Sequence, residues 1–121
     1  MSKRILLVED QADNRKIIRD MLRGTDYEIT EAENGEEALA AIAKQRPDLI
    51  LMDIQLPIMD GYTVTRKIKG DPALRSIPII AVTSYALGGE EKKAREAGCD
   101  DYVPKPFSPR QLRAKIRQYL Q

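Results

Sequence analysis

The run Leu49-Ile50-Leu51-Met52, closed by Asp53, limits the fold more than any other stretch of the chain. It is too short to span a membrane, and without polar alternation it reads as a strand buried on both faces, as in parallel sheets covered by helices on each side. The first apolar run, Ile5-Leu6-Leu7-Val8, ends the same way, on Glu9 and Asp10. If the two strands are parallel neighbours, three carboxylates converge at their carboxyl ends, where open parallel sheets build ligand sites. Crowded carboxylates repel unless a cation joins them. The arrangement therefore calls for a hard divalent metal and, with it, an anion, phosphate being the leading choice.

Apolar runs alternate with amphipathic stretches along the rest of the chain, the pattern of repeated strand-helix units around a parallel sheet. Strands are expected at about Arg4 to Val8, Tyr27 to Ala32, Leu49 to Asp53, Ile77 to Val82 and Asp101 to Val103. The helix after the first strand starts near Asp13, turns Ile17, Ile18, Met21 and Leu22 inward and ends near Gly24. Others begin at Asn34-Gly35, with Ala38, Leu39 and Ile42 inward, and run from Tyr62 to Lys69, with Val64 and Ile68 inward. A fourth, Glu90 to Ala97, offers the sheet mainly alanines, and Gly98 caps it. Little apolar area anchors it, so a conformational switch is expected there. The fifth starts near Ser108-Pro109 and presents Leu112, Ile116 and Leu120. Asp13, Asp60 and Asp71 read as caps and turns, and Cys99 as a small buried residue without a redox role.

Length and charge narrow the function. The 121 residues fit one domain, and a net charge of +1 with both signs scattered gives no field for nucleic acid or anionic lipid. One cysteine and no histidine exclude an internal disulfide and a structural zinc site. Without a signal peptide or an apolar stretch near ~20 residues, a cytoplasmic protein is expected. The turn Glu9-Asp10-Gln11-Ala12-Asp13-Asn14 lacks the glycines and lysine of a phosphate-cradling nucleotide loop.

Further residues fall at later strand ends: Thr83, Tyr102, and Lys105 before Pro106. Val8-Glu9-Asp10, Met52 to Pro57, Met59-Asp60-Gly61, Ala81-Val82-Thr83 and Lys105-Pro106-Phe107, in this order and spacing, closely resemble the receiver domain of two-component response regulators. The resemblance runs from about Lys3 to Leu120, and the stretch Pro47 to Pro57 reads much like that of stand-alone receivers of the DivK-like group. It implies a flavodoxin-like α/β fold, a doubly wound five-stranded parallel sheet of order 2-1-3-4-5 with five helices. One receiver domain over residues 1–121 with no output domain is expected. By resemblance, Asp53 is the phosphoacceptor, and Asp10, Asp53 and the Gln55 backbone carbonyl ligate Mg²⁺, with Mn²⁺ a possible substitute. Glu9 holds the metal's water shell, and Lys105 pairs with Asp53 before transfer and with phosphate afterwards. A cis bond before Pro106 holds Lys105 in place, while Thr83 and Tyr102 form the switch. The implied donors are a sensor histidine kinase or a histidine phosphotransfer protein. Output runs to a protein target through the face of fourth helix, fifth strand and fifth helix, not to nucleic acid or membrane.

Ser84 stands where the family usually has alanine or glycine, and its hydroxyl is expected to crowd the donor's approach. Tyr85 and Gln55 are expected to flank the phosphoryl group and to slow its hydrolysis. Three rival readings stay open on the sequence. An aspartate-nucleophile phosphatase would need a second acid where Gln55 stands, and a flavin module would have to seat its phosphate against an acidic loop. The third is a receiver surface that binds without phosphorylation.

Overall fold

The computed structural model describes residues 2–83 and 89–120. Strands β1 (Arg4–Val8), β2 (Glu28–Ala32), β3 (Leu49–Asp53), β4 (Ile79–Thr83) and β5 (Asp101–Pro104) alternate with helices α1 (Ala12–Met21), α2 (Gly35–Lys44), α3 (Gly61–Lys69), α4 (Glu90–Ala97) and α5 (Pro109–Leu120). All pairings are parallel and the sheet order is β2-β1-β3-β4-β5, as expected. The winding direction reverses between β1 and β3, and such a reversal opens a crevice at the strands' carboxyl ends.

Burial on both faces explains the unbroken apolar runs. In β3, Ile50 and Met52 join Leu6, Val8, Ile79 and Ala81 in a core closed by Ala38 and Ile42 of α2, Val64 and Ile68 of α3, and Ala94 of α4. Leu49 and Leu51 point the other way, with Ile5, Leu7, Ile80 and Val103, against Ile18 and Leu22 at α1 and Leu112 and Ile116 of α5. Alternate residues thus feed two cores, as strand geometry requires.

Local signals set the helix starts. Asn34 Oδ1 accepts the Glu37 N–H at 2.8 Å, and Asp60 Oδ1 accepts that of Thr63 at 2.9 Å. Ser108 and Gln111 form a reciprocal capping box ahead of α5, at 3.1 and 2.9 Å. Asp71 works in a turn, accepting the Ala73 N–H at 2.9 Å. Gly98 ends α4 in the left-handed region, φ 111°.

Several boundaries differ from expectation. β4 starts at Ile79, because Ile77 is drawn into a turn by its N–H to Leu74 O and Pro78 has no N–H to give a ladder. β2 starts at Glu28. Asp13 lies inside the first turn of α1 rather than capping it, and the helix ends at Met21, with Leu22 as its C-cap and Gly24 in the left-handed region beyond it. Ile17 is 50 % exposed, where an inward position was expected. It borders a groove of about 240 Å³ with Met21, Pro106 and Phe107, outside the core.

Candidate functional site

The register sets the site. Val8 pairs with Met52, so the next residues along, Glu9 and Asp53, leave β1 and β3 side by side. Glu9 and Asp53 are buried and Asp10 is half-buried, and one oxygen from each carboxylate lies within 4.8 Å of the others. Close packing maintains this corner. A Cβ on Gly61 would strike the Asp53 carbonyl, so only glycine lets the start of α3 approach the end of β3, and the Gly61 N–H donates to Ile54 O at 3.0 Å.

Opposite the acids stands Lys105, in the loop after β5. Its N–H donates to Thr83 O at 2.6 Å, and the Lys105–Pro106 bond is cis, as expected. Its ammonium differs from expectation in its nearer partner: Nζ donates to Glu9 Oε1 at 3.0 Å and stands 4.0 Å from Asp53 Oδ2. The glutamate arm, one methylene longer than aspartate, brings Glu9 to the lysine. Asp53 Oδ1 accepts the Gln55 N–H at 3.0 Å, and Glu9 Oε2 that of Gln11 at 3.1 Å.

These contacts divide the three acids. Burial pushes the Asp53 carboxyl up and the charge of Glu9 adds to it, to about 6, although the Gln55 N–H and Lys105 oppose the rise. Burial also works against Glu9, but the Gln11 N–H and Lys105 outweigh it and hold this carboxyl below its ordinary value. Asp10 is raised by burial and by Glu9. A divalent cation suits this donor set of hard, mutually repelling oxygens, so the residues present fit Mg²⁺.

Asp10, Gln11, Asn14, Asp53, Gln55 and Lys105 line an open cleft of about 440 Å³. Thr83 closes β4, fully buried and in register with Pro104. Tyr102, half-buried on β5, packs against the core under α2, α3 and α4. Ser84 and Tyr85 lie outside the described residues.

One residue escapes the sequence reading. Arg15, in the first turn of α1, donates through Nη1 to the backbone oxygens of Glu9 (2.8 Å) and Asp10 (3.2 Å). A signal for it existed, since a cation at a helix N-terminus opposes the macrodipole and needs a local partner.

Comparison with known proteins bears on this geometry. The family described as "response regulator receiver domain" matches residues 5–117. The polar-differentiation response regulator DivK of Brucella anthropi is 45 % identical over 120 residues, covering 99 % of this chain and 98 % of that one. Among solved structures, the receiver domain of a sensor histidine kinase from Pseudomonas aeruginosa is similar with a TM-score of 0.90 and 39 % identity, over 99 % of this chain and 98 % of that one. That structure holds a magnesium ion coordinated in its active site cleft. A CheY-like receiver domain protein from Methanospirillum hungatei gives a TM-score of 0.90 at 33 % identity, over 99 % of this chain and 94 % of that one.

Proposed function

The chain belongs to the response regulator receiver domain family, and on that premise we propose that Asp53 accepts a phosphoryl group from a phosphohistidine on a partner protein. The observation that carries this reading is the convergence of Asp53 with Glu9 and Asp10 within 4.8 Å, faced by Lys105 from the far edge of the cleft. One Asp53 oxygen forms the new O–P bond as the donor's P–N bond breaks, and the donor leaves as neutral imidazole after taking a proton from solvent. Glu9, Asp10, Asp53 and the Gln55 carbonyl would hold Mg²⁺, or Mn²⁺ in its place, which supplies positive charge for the acids and the phosphoryl oxygens. Lys105, held on Glu9 beforehand, answers the charge on the phosphoryl group, and the cis bond to Pro106 keeps it facing the cleft.

The phosphoryl group adds roughly −1.5 to −2 charge, which draws the Thr83 hydroxyl toward it as a donor. Tyr102 turns into the space so left, and the face of α4, β5 and α5 changes its preference for a protein target. Residues 1–121 work as one receiver domain in the cytoplasm, served by a sensor histidine kinase or a histidine phosphotransfer protein. The domain catalyses only its own phosphorylation and dephosphorylation. With Gln55 and Ser84, Tyr85 tunes the lifetime of the phosphoform, and Tyr85→Ala is expected to shorten it several-fold in a dephosphorylation time course. An unchanged lifetime would remove the shielding role.

The test is incubation with acetyl phosphate and Mg²⁺, read by intact mass. One added phosphoryl group is expected in wild type, none with chelator and none in Asp53→Asn. Should neither acetyl phosphate nor a panel of phosphorylated histidine donors label the protein, the chain is a phosphorylation-independent binding module.

A further inference from the structure

Glu9 and Asp10 are adjacent, and neighbouring side chains of a straight strand point to opposite faces. Both nevertheless bring a carboxylate oxygen within 4.8 Å of the one on Asp53, so the chain has left strand geometry where β1 ends. Arg15 sits on that bend. Successive carbonyls of an extended chain also point in opposite directions, yet those of Glu9 and Asp10 both accept from Arg15 Nη1, at 2.8 and 3.2 Å. The guanidinium is anchored in turn, Nε to Glu31 Oε1 at 3.1 Å and Nη2 to Glu33 Oε1 at 3.4 Å. Its side chain is 13 % exposed, so the contacts to the two carbonyls and to Glu31 are partly shielded from competing water, while the one to Glu33 is exposed. Only a planar fork serves carbonyls and carboxylates from separate nitrogens at once.

We infer that Arg15 is the positioning residue of the metal site: it fixes the bend that turns two adjacent acids toward Asp53, and thereby sets the affinity for Mg²⁺. The inference rests on the reading of Glu9, Asp10 and Asp53 as the Mg²⁺ site. Arg15 touches neither the metal nor the phosphoryl group, and acts through the backbone that carries the ligands, as outer partners of metal sites do. A purely structural role, stapling α1 to β2, is the alternative, and Arg19 provides the control. It donates to Glu31 Oε2 at 2.7 Å from the same helix and is 47 % exposed.

Mg²⁺ binding to wild type, Arg15→Met, Arg15→Lys and Arg19→Met is measured by isothermal titration calorimetry well below the melting temperatures, which are read separately in chelator. Arg15→Met is expected to weaken binding by about tenfold or more. Arg15→Lys falls between it and wild type, and Arg19→Met stays within about twofold of wild type. In acetyl phosphate labelling, the Mg²⁺ concentration for half-maximal rate rises in Arg15→Met while the rate at saturating Mg²⁺ is kept. A folded Arg15→Met that binds Mg²⁺ as wild type does, or an Arg19→Met that loses as much, overturns the inference. If Arg15→Met does not fold, Arg15→Lys decides, and wild-type affinity in that variant overturns it. A wild type that binds no Mg²⁺ refutes instead the metal-site reading underneath.

Discussion

Between the ordinary aspartate range and about 6, Asp53 keeps a proton that the unfolded chain releases, because burial and the charge of Glu9 outweigh the Gln55 N–H and Lys105. The folded state therefore binds more protons across this window, and the ionised carboxylate lowers stability as pH rises through it. In chelator, Asp53→Asn is expected to exceed wild type by about 1–3 kcal/mol at pH 7.5 and to lose most of that gain near pH 4, as read by urea unfolding. An equal gain at both pH values would place the effect in packing rather than charge. Mg²⁺ at about a hundred times its Kd is expected to return roughly 2.7 kcal/mol to wild type, and much less to the variant. The acids themselves were legible in the sequence, since each closes an apolar run. The pairing of Lys105 with Glu9 ahead of Asp53 was not, because it depends on the reach of one glutamate arm across the cleft.

At the scale of elements, caps and cores followed from residue types, and the late start of β4 has a backbone cause. Pro78 cannot donate to a ladder, which delays β4, and the loop between β3 and α3 shows a subtler case. Its glycine, Gly61, is required for close approach to Asp53, while the left-handed position falls on Ile58, at φ 68°. Sequence alone would give the permissive conformation to the glycine. Ile58 is 99 % exposed and buries nothing in return for its strain. Ile58→Gly is therefore expected to stabilise the fold by about 0.5–1 kcal/mol, the relief of left-handed strain less the larger entropy of an unfolded glycine. Gly61→Ala is expected to destabilise it by at least about 2 kcal/mol, since backbone must move aside. Thermal melts of both variants check the opposite signs, and a stabilising Gly61→Ala would refute the close-approach argument.

Across the whole molecule, anchoring is uneven. Among the described residues of α4, only Ala94 and Ala97 enter the core, whereas α5 buries Leu112, Ile116 and Leu120. Behind α4, polar contacts tie down the start of β5. Asp101 accepts from Lys115 Nζ at 2.9 Å and Tyr119 Oη at 3.0 Å, and Asp100 accepts from Lys69 Nζ at 2.9 Å. Amides of residues 94–97 are expected to exchange with deuterium ahead of those of α5, and the reverse order would remove α4 as the mobile part of the proposed output face. The sheet, the two cores and the weak fourth helix could all be read from apolar patterning. The Asp101–Lys115–Tyr119 cluster could not, because charges on a strand and a helix declare a partnership only once the two are packed. Lys105 meets Glu9 across 96 positions of chain. A polypeptide leaving the ribosome thus carries every acid of the cluster well before the cation that answers them. Lys105 meets them only when the final strand docks, so readiness to carry phosphate and completion of the fold arrive together.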